Sequence, residues 1–141
     1  MSEPPPEVRS RLDDPAYRRG DVASVRKALA ALRVEVPETF RRFYEQYAGP
    51  FGSENTGFGL LDLCEQVPNV LVLTETCRNK YGWPASFLVL TELLANAVIV
   101  LDVEEDRVFV VDFEGGDQLL LNRQLLPTWQ SFSEFLRFYF G

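Results

Sequence analysis

The sequence of 141 residues contains no histidine, only two cysteines and only two lysines. The absence of histidine excludes His-ligated zinc sites, Ser-His-Asp triads and Cys-His dyads. Cys64 and Cys77 are too few for a disulfide framework in a chain of this size, and neither lies in a CxxC pair. We therefore predict two inert, buried thiols and a reducing compartment.

The sequence also lacks a long hydrophobic run and a surplus of positive charge. No stretch approaches the roughly 18 consecutive apolar residues of a membrane span, and the N-terminal MSEPPPEVRS has no apolar centre typical of a signal peptide. The net charge of −7 disfavours binding to phosphate backbones and to anionic membrane surfaces. We predict a cytoplasmic protein with no cofactor, no nucleic-acid partner and no membrane partner.

The apolar content is sufficient for one folded domain. Hydrophobic residues make up 46% of the chain and aromatic residues 13%, which is typical of a globular protein with a sizeable core. We predict a single domain over residues 1–141. Residues 1–20 are its N-terminal arm, extended up to about Ser10 and then forming a short helix from Asp13-Asp14-Pro15 to Gly20, and residues 21–141 are its core.

Four further segments have the apolar spacing and the capping residues of helices. They are residues 22–33, the segment from Pro37 to Gly49, residues 68–81, and the segment that follows the capping box of Ser131 and Glu134. Residues 68–81 are ambiguous, because their β-branched residues favour a strand while the spacing of Val70, Cys77 and Tyr81 favours a helix; we prefer the helix.

Five short apolar segments predict strands. They are GFGLLDL at 57–63, residues 87–91, residues 98–103, residues 107–113 and residues 118–121. Together with the helices they predict an α+β fold, in which one domain has a central antiparallel or mixed sheet flanked by helices.

Residues 98–103 and 107–113 predict a central hairpin with both faces covered. Because side chains alternate along a strand, we expect one shared face for each of two sets. The first set is Ile99, Leu101, Val103, Phe109, Val111 and Phe113, and the second is Val98, Val100, Val108 and Val110. We also expect Trp83 and Trp129 to be buried in the core.

The hairpin segment IVLDVEEDRVFVVDFEGGDQ, residues 99–118, carries seven carboxylates and a single arginine. A calcium loop of the EF-hand type is excluded, because a loop beginning at Asp102 has Arg107 where glycine is needed and Phe113 where a bidentate glutamate is needed. Three interpretations stay open: a catalytic carboxylate pair formed with Asp102 or Asp112, charged strand ends that oppose aggregation, and a surface that steers a basic protein partner.

Four segments follow one another in a recognisable order. They are VPETFRRFYEQYAGPFG, GFGLLDL, GWPASFLVL leading into VIVLDVEEDRVFVVDFEG, and the closing SFSEFLRFYF. Their order and spacing resemble the SUKH superfamily, which includes Syd and the yeast cell-wall assembly regulator and whose bacterial members are mostly immunity proteins of toxin systems. The resemblance covers roughly residues 20–141. It departs at TELLANA, residues 91–97, where family members often carry a Gly-rich polar loop.

The resemblance implies an α+β fold without catalysis, in a bacterial protein that binds and neutralises a cognate toxin, often a nuclease or another nucleic-acid-modifying enzyme. The acidic hairpin independently favours a toxin with a basic surface, bound by a monomer or weak homodimer. From charge alone, the predicted partner-binding residues are Asp102, Glu104, Glu105, Asp106, Asp112, Glu114 and Asp117. The alternative is a regulatory or scaffold module without a toxin partner. No metal site is predicted.

Overall fold

The fold is described by a computed structural model covering residues 3–141, and it is of the α+β class. The elements are α1 (Pro6–Arg11), a 3-10 helix (Pro15–Tyr17), α2 (Val22–Leu32), α3 (Glu38–Gln46), α4 (Val70–Tyr81), β1 (Phe87–Val89), β2 (Ala97–Asp102), β3 (Arg107–Asp112), α5 (Gly116–Leu121) and α6 (Phe132–Phe140). The α+β class predicted from the sequence is therefore confirmed.

Helix α1 occupies Pro6–Arg11, so the extended arm predicted up to about Ser10 is wrong from Pro6 onwards. Pro6 lies in the first turn of α1, where a missing backbone N–H costs nothing. The buried side chain of Val8 then joins the core, and α1 packs against α6. The short helix predicted after Asp14 is confirmed as a 3-10 turn, in which the Asp14 carboxylate accepts the N–H of Ala16 at 2.9 Å.

Helices α2, α3 and α6 begin at the residues predicted from the sequence. The Asp21 carboxylate accepts the N–H of Ala23 at 2.9 Å at the start of α2, and the Ser131 hydroxyl accepts the N–H of Glu134 at 3.0 Å at the start of α6. Helix α3 follows Pro37 directly, as the sequence predicts. These caps satisfy backbone donors that have no partner inside their helices.

The ambiguous segment is a helix, α4, as preferred from its spacing. The side chain of Asn69 accepts the N–H of Val72 at 2.8 Å, and Gly82 ends the helix in the left-handed conformation with φ 68°. Val70, Thr74 and Cys77 are buried at helical spacing, which shows that burial of one face outweighs the strand preference of the β-branched residues.

The sheet has three antiparallel strands in the order β1-β2-β3. Two of the five predicted strands are wrong. GFGLLDL contributes a single bridging residue, Leu60, which pairs with Phe51 and with Thr91. Residues 118–121 lie in α5, because the Asp112 carboxylate accepts the N–H of Gly116 and turns the chain into a helix that buries Leu120.

The register of the hairpin corrects the predicted faces. Leu101 is opposite Val108 and Val100 is opposite Phe109, so odd-numbered residues of β2 share a face with even-numbered residues of β3. One face carries Ile99, Leu101, Val108 and the partly buried Val103 and Val110, and the other carries Val98, Val100, Phe109, Val111 and the partly buried Phe113. The prediction grouped residues of equal parity, which requires a different turn length.

Each face of the sheet has its own apolar cluster. The main core, on the Ile99 face, joins the sheet to buried residues of α1, α2, α3 and α6 and to Val70 of α4. In this core the ring of Phe132 contacts those of Phe40 and Phe43. The second core, on the Val98 face, is smaller and includes residues of α4 and α5. Trp129 lies in the main core and Trp83 in the second core, so the prediction that both are buried is confirmed.

Within residues 3–141, none of the helices combines the length and the apolar character that crossing a membrane requires.

Candidate functional site

The seven predicted partner-binding carboxylates fall into two groups at opposite ends of the hairpin. Asp102 pairs with Arg107 at one end and Asp112 pairs with Ala97 at the other. Five steps of about 3.3 Å along a strand separate these ends by roughly 17 Å. We call the group of Asp102, Glu104, Glu105 and Asp106 the turn end, and the group of Asp112, Glu114 and Asp117 the α5 end. The carboxylates that are continuous in the sequence therefore form two surfaces.

Asp102 is a structural residue of the turn. It is 2% exposed, and its carboxylate accepts the N–H of Glu104 at 3.0 Å. Burial raises the pKa of Asp102 above its ordinary value, although backbone N–H donors and the guanidinium of Arg123, 4.0 Å from Oδ2, act in the opposite direction. A side chain enclosed in this way contributes to the shape of the turn rather than to a protein contact.

Asp106 and Arg107 connect the turn to the start of α6. Asp106 has a left-handed backbone, with φ 53°, and its carboxylate accepts the N–H of Phe132 at 2.9 Å. The guanidinium of Arg107 donates to the carbonyl oxygens of Glu105, Asp106 and Gln130. The turn end therefore carries its own cation, and only Glu104 and Glu105 project freely into solvent.

At the α5 end, Asp112 organises the backbone in a similar way. Its Oδ1 accepts the N–H of Glu114 at 2.9 Å and that of Gly116 at 3.0 Å. The hydrogen bond from Gly116, and then that from Glu114, lowers the pKa of Asp112. Glu114 is exposed and accepts a hydrogen bond from the side-chain amide of Asn96 at 3.3 Å, while Asp117 is half-buried.

The geometry is unfavourable for catalysis by Asp102 and Asp112. Two carboxylates that share a glycosidic bond lie roughly 5–10 Å apart in one cleft, whereas these two occupy opposite ends of six-residue strands. In the described part of the chain, no three side chains of the His, Cys, Asp and Glu types are grouped so that they could hold a metal ion.

The sequence interpretation missed a buried ion pair between Arg19 and Asp62. Both side chains are fully buried, and Nη2 of Arg19 lies 2.5 Å from Oδ1 of Asp62. Arg19 also donates to the carbonyl oxygens of Tyr44 at 2.6 Å and Tyr47 at 3.1 Å, which joins the N-terminal part of the chain to the end of α3. The sequence contains one signal of this ion pair, which is the aspartate, Asp62, within the apolar segment GFGLLDL. A carboxylate that is buried with such a segment requires a partner.

The Asp62 carboxylate is saturated with donors. It accepts the N–H groups of Gly49 at 2.9 Å, Glu65 at 2.9 Å and Cys64 at 3.2 Å. Burial alone raises the pKa of Asp62, but these backbone donors together with Arg19 outweigh it, and the net pKa lies below the ordinary value. With its acceptors occupied, Asp62 stabilises the fold and has no free oxygen for a ligand.

A comparison of the sequence with models of known protein families identifies one family. The family model described as SMI1 / KNR4 family (SUKH-1) matches residues 21–137, which is most of the chain. This match confirms the resemblance to the SUKH superfamily predicted from the sequence, and members of the family are generally non-catalytic. A search of curated proteins finds no match.

Proposed function

We propose that this chain, which belongs to the SMI1 / KNR4 family (SUKH-1), is a non-catalytic immunity protein of the bacterial cytoplasm. It binds and neutralises a cognate protein toxin whose surface is basic. The toxin is a nuclease or another enzyme that acts on nucleic acid, because such a surface is built to attract phosphate and is therefore complementary to carboxylates.

The observation that carries this proposal is the set of free carboxylates on the hairpin. Glu104, Glu105 and Glu114 are exposed, and none of them forms an ion pair with another residue between 3 and 141. Their positions are set by a rigid sheet and by turns that Asp102, Asp106 and Asp112 hold through backbone hydrogen bonds. A fixed arrangement of unpaired charges on a chain of net charge −7 accelerates the encounter with a cationic partner.

The geometry also divides the predicted contact residues by role. Reversing the charge of Asp102, Asp106 or Asp112 would disturb the turns, so their substitution would confuse binding with folding. Glu104, Glu105 and Glu114 can be reversed without loss of a hydrogen bond that the fold needs, because Glu114 accepts only a long bond from an exposed amide.

The test is binding to the toxin domain encoded by the neighbouring gene. We expect the two proteins to co-purify and the wild-type chain to abolish the toxin's activity. In Glu104→Lys/Glu105→Lys, the association rate should fall about tenfold or more at low salt and much less at high salt. Glu54→Lys, which changes an exposed glutamate in another loop, is the matched control and should have a small effect.

Two results would contradict the proposal. One is a neighbouring gene product that neither binds the wild-type chain nor is inhibited by it, which would favour the alternative of a regulatory or scaffold module. The other is an enzymatic activity of the purified chain that depends on Asp102 or Asp112.

A further inference from the structure

A groove of about 450 Å³ lies between α4 and the segment that joins β1 to β2. Its floor is apolar and includes Val89 and Val98 of the sheet, Cys77 of α4 and Phe113 at the end of the hairpin. Burial raises the pKa of the Cys77 thiol, although nearby Lys80 acts in the opposite direction. The thiol is therefore neutral and serves as part of an apolar lining rather than as a nucleophile or metal ligand.

Two large apolar side chains on the walls of this groove extend into solvent. Leu93 is 62% exposed and Tyr81 is 45% exposed. Leu93 comes from TELLANA, the segment that departs from the polar loop expected of the family. That segment ends in a tight turn in which Leu94 pairs with Ala97 and both central residues, Ala95 and Asn96, have positive φ. The turn therefore places Ala95 in a backbone conformation that alanine disfavours.

Two carboxylates and one ammonium lie on or next to the rim of the groove. Glu92 lies on the rim, and the amide of Asn96, which also lines the groove, donates to Glu114. The single ammonium on the rim, that of Lys80, lies 5.4 Å from the centre of the Tyr81 ring. An apolar floor enclosed by a charged rim is the arrangement found at protein interfaces. The excess of carboxylates here is small, but the chain as a whole has a net charge of −7, which favours lysine and arginine in the occupant.

We propose that this groove is the anchoring site for the protein partner. It takes a chain segment that inserts one large apolar or aromatic side chain between Tyr81 and Leu93 and places lysine or arginine beside Glu92 and Glu114. The proposal rests on the proposed function for the partner's basic character, and it adds that the anchoring contact lies at the α5 end of the hairpin. The α5 end combines the exposed carboxylate of Glu114 with the exposed apolar side chains of Tyr81 and Leu93. The groove at the turn end is lined by Arg33, Glu35, Glu104 and Asp106, and the described residues that line it include no large exposed apolar side chain.

The test begins with a display library of short random peptides selected against the full chain. We expect the enriched peptides to carry an aromatic or leucine side chain flanked by lysine or arginine. A labelled peptide from this set, titrated by fluorescence polarisation, should bind Leu93→Asp about tenfold more weakly or worse than the wild type. Glu114→Lys should weaken binding several-fold, and more strongly at low salt.

The matched control is Leu126→Asp, because Leu126 is 83% exposed and lies outside the groove. Leu126→Asp should leave the affinity unchanged. Both leucines are exposed, so neither substitution should alter folding, and circular dichroism checks this.

Several outcomes overturn the proposal. The first is a library that yields no binders above a protein-free control, and the second is a set of binders that lack the basic and apolar pattern. The third is equal affinity of the peptide for Leu93→Asp and for the wild type. The fourth is a dimer, seen by sedimentation, that Leu93→Asp dissociates, because the occupant of the groove is then a second copy of the chain. Failure of the proposed function is distinguishable: the neighbouring toxin then does not bind the wild-type chain at all. If the toxin binds and Leu93→Asp binds it equally well, only the groove is wrong.

Discussion

The two faces of the sheet differ in how completely they are covered. The main core is closed by α1, α2, α3 and α6, and its side chains at the centre, such as Phe43 and Ile99, have no exposed surface. The second core is covered by α4 and α5, which leave a groove between α4 and the segment after β1. The difference indicates that the first face supplies most of the stability, while the second face keeps apolar surface available for a partner.

The largest expected effect comes from opening the main core. Phe43→Ala removes a ring that contacts those of Tyr44, Phe51, Phe132 and Phe140. We expect it to lower the free energy of unfolding by about 3–5 kcal/mol. Leu120→Ala, in the second core, should cost only about 2–3 kcal/mol because the surrounding cluster is smaller and can relax. Urea denaturation measures both.

Phe43→Leu is the companion variant, since it retains part of the volume and should lose less stability than Phe43→Ala. An equal or greater loss in Leu120→Ala than in Phe43→Ala would break the proposed division between the two faces.

The second effect distinguishes two buried carboxylates by their response to pH. Asp62, beside the main core, has a lowered pKa, so its contribution to stability is present above the unfolded pKa of about 3.9 and is lost as pH falls through the folded pKa. Asp62→Asn should cost about 3 kcal/mol at neutral pH, because Arg19 loses its buried counter-charge and keeps only the exposed carboxylate of Glu65 at 3.4 Å. This cost should shrink as the pH falls below about 4.

Asp102, at the edge of the second core, should respond in the opposite sense. Its pKa is raised, so the folded state binds the proton more tightly, and stability increases as pH falls through that raised pKa. Asp102→Asn retains an acceptor for the N–H of Glu104 and removes the buried charge, so it should be neutral or slightly stabilising at pH 7. Urea denaturation from pH 3 to pH 7 compares both variants with the wild type, and parallel pH dependences would contradict the assignment.

The smallest effect concerns the turn beside the groove. Ala95 has φ 51°, which costs about 1–2 kcal/mol for a residue other than glycine. Ala95→Gly removes this cost. It also makes the unfolded chain more flexible, which lowers the free energy of unfolding by about 0.4–1 kcal/mol, so we expect a net stabilisation of roughly 0.5–1 kcal/mol. Thermal denaturation provides the measurement. Ala30→Gly, at an exposed position inside α2, is the control and should destabilise by about 1 kcal/mol.

Local patterns in the sequence were sufficient to predict most of the helices and the acidic hairpin. Caps such as Asp21 and Ser131 act through hydrogen bonds to residues two or three positions away, so their effect can be read without knowing the rest of the fold. The same holds for the family, because the order of the segments is a property of the chain. The identity of the partner-binding residues stays a prediction.

The tertiary structure alone decided what depends on distant partners. The register of the hairpin follows from its turn, which Asp106 joins to Phe132 of α6. Residues 118–121 lie in a helix whose Leu120 packs in the second core against residues of the sheet. The pairing of Arg19 with Asp62 joins residues 43 positions apart. The sequence by itself determined that the chain is acidic, α+β and rich in core aromatics. Only packing determined that the acidic residues of the hairpin lie at two ends of the sheet, and that one of these ends borders an open apolar groove.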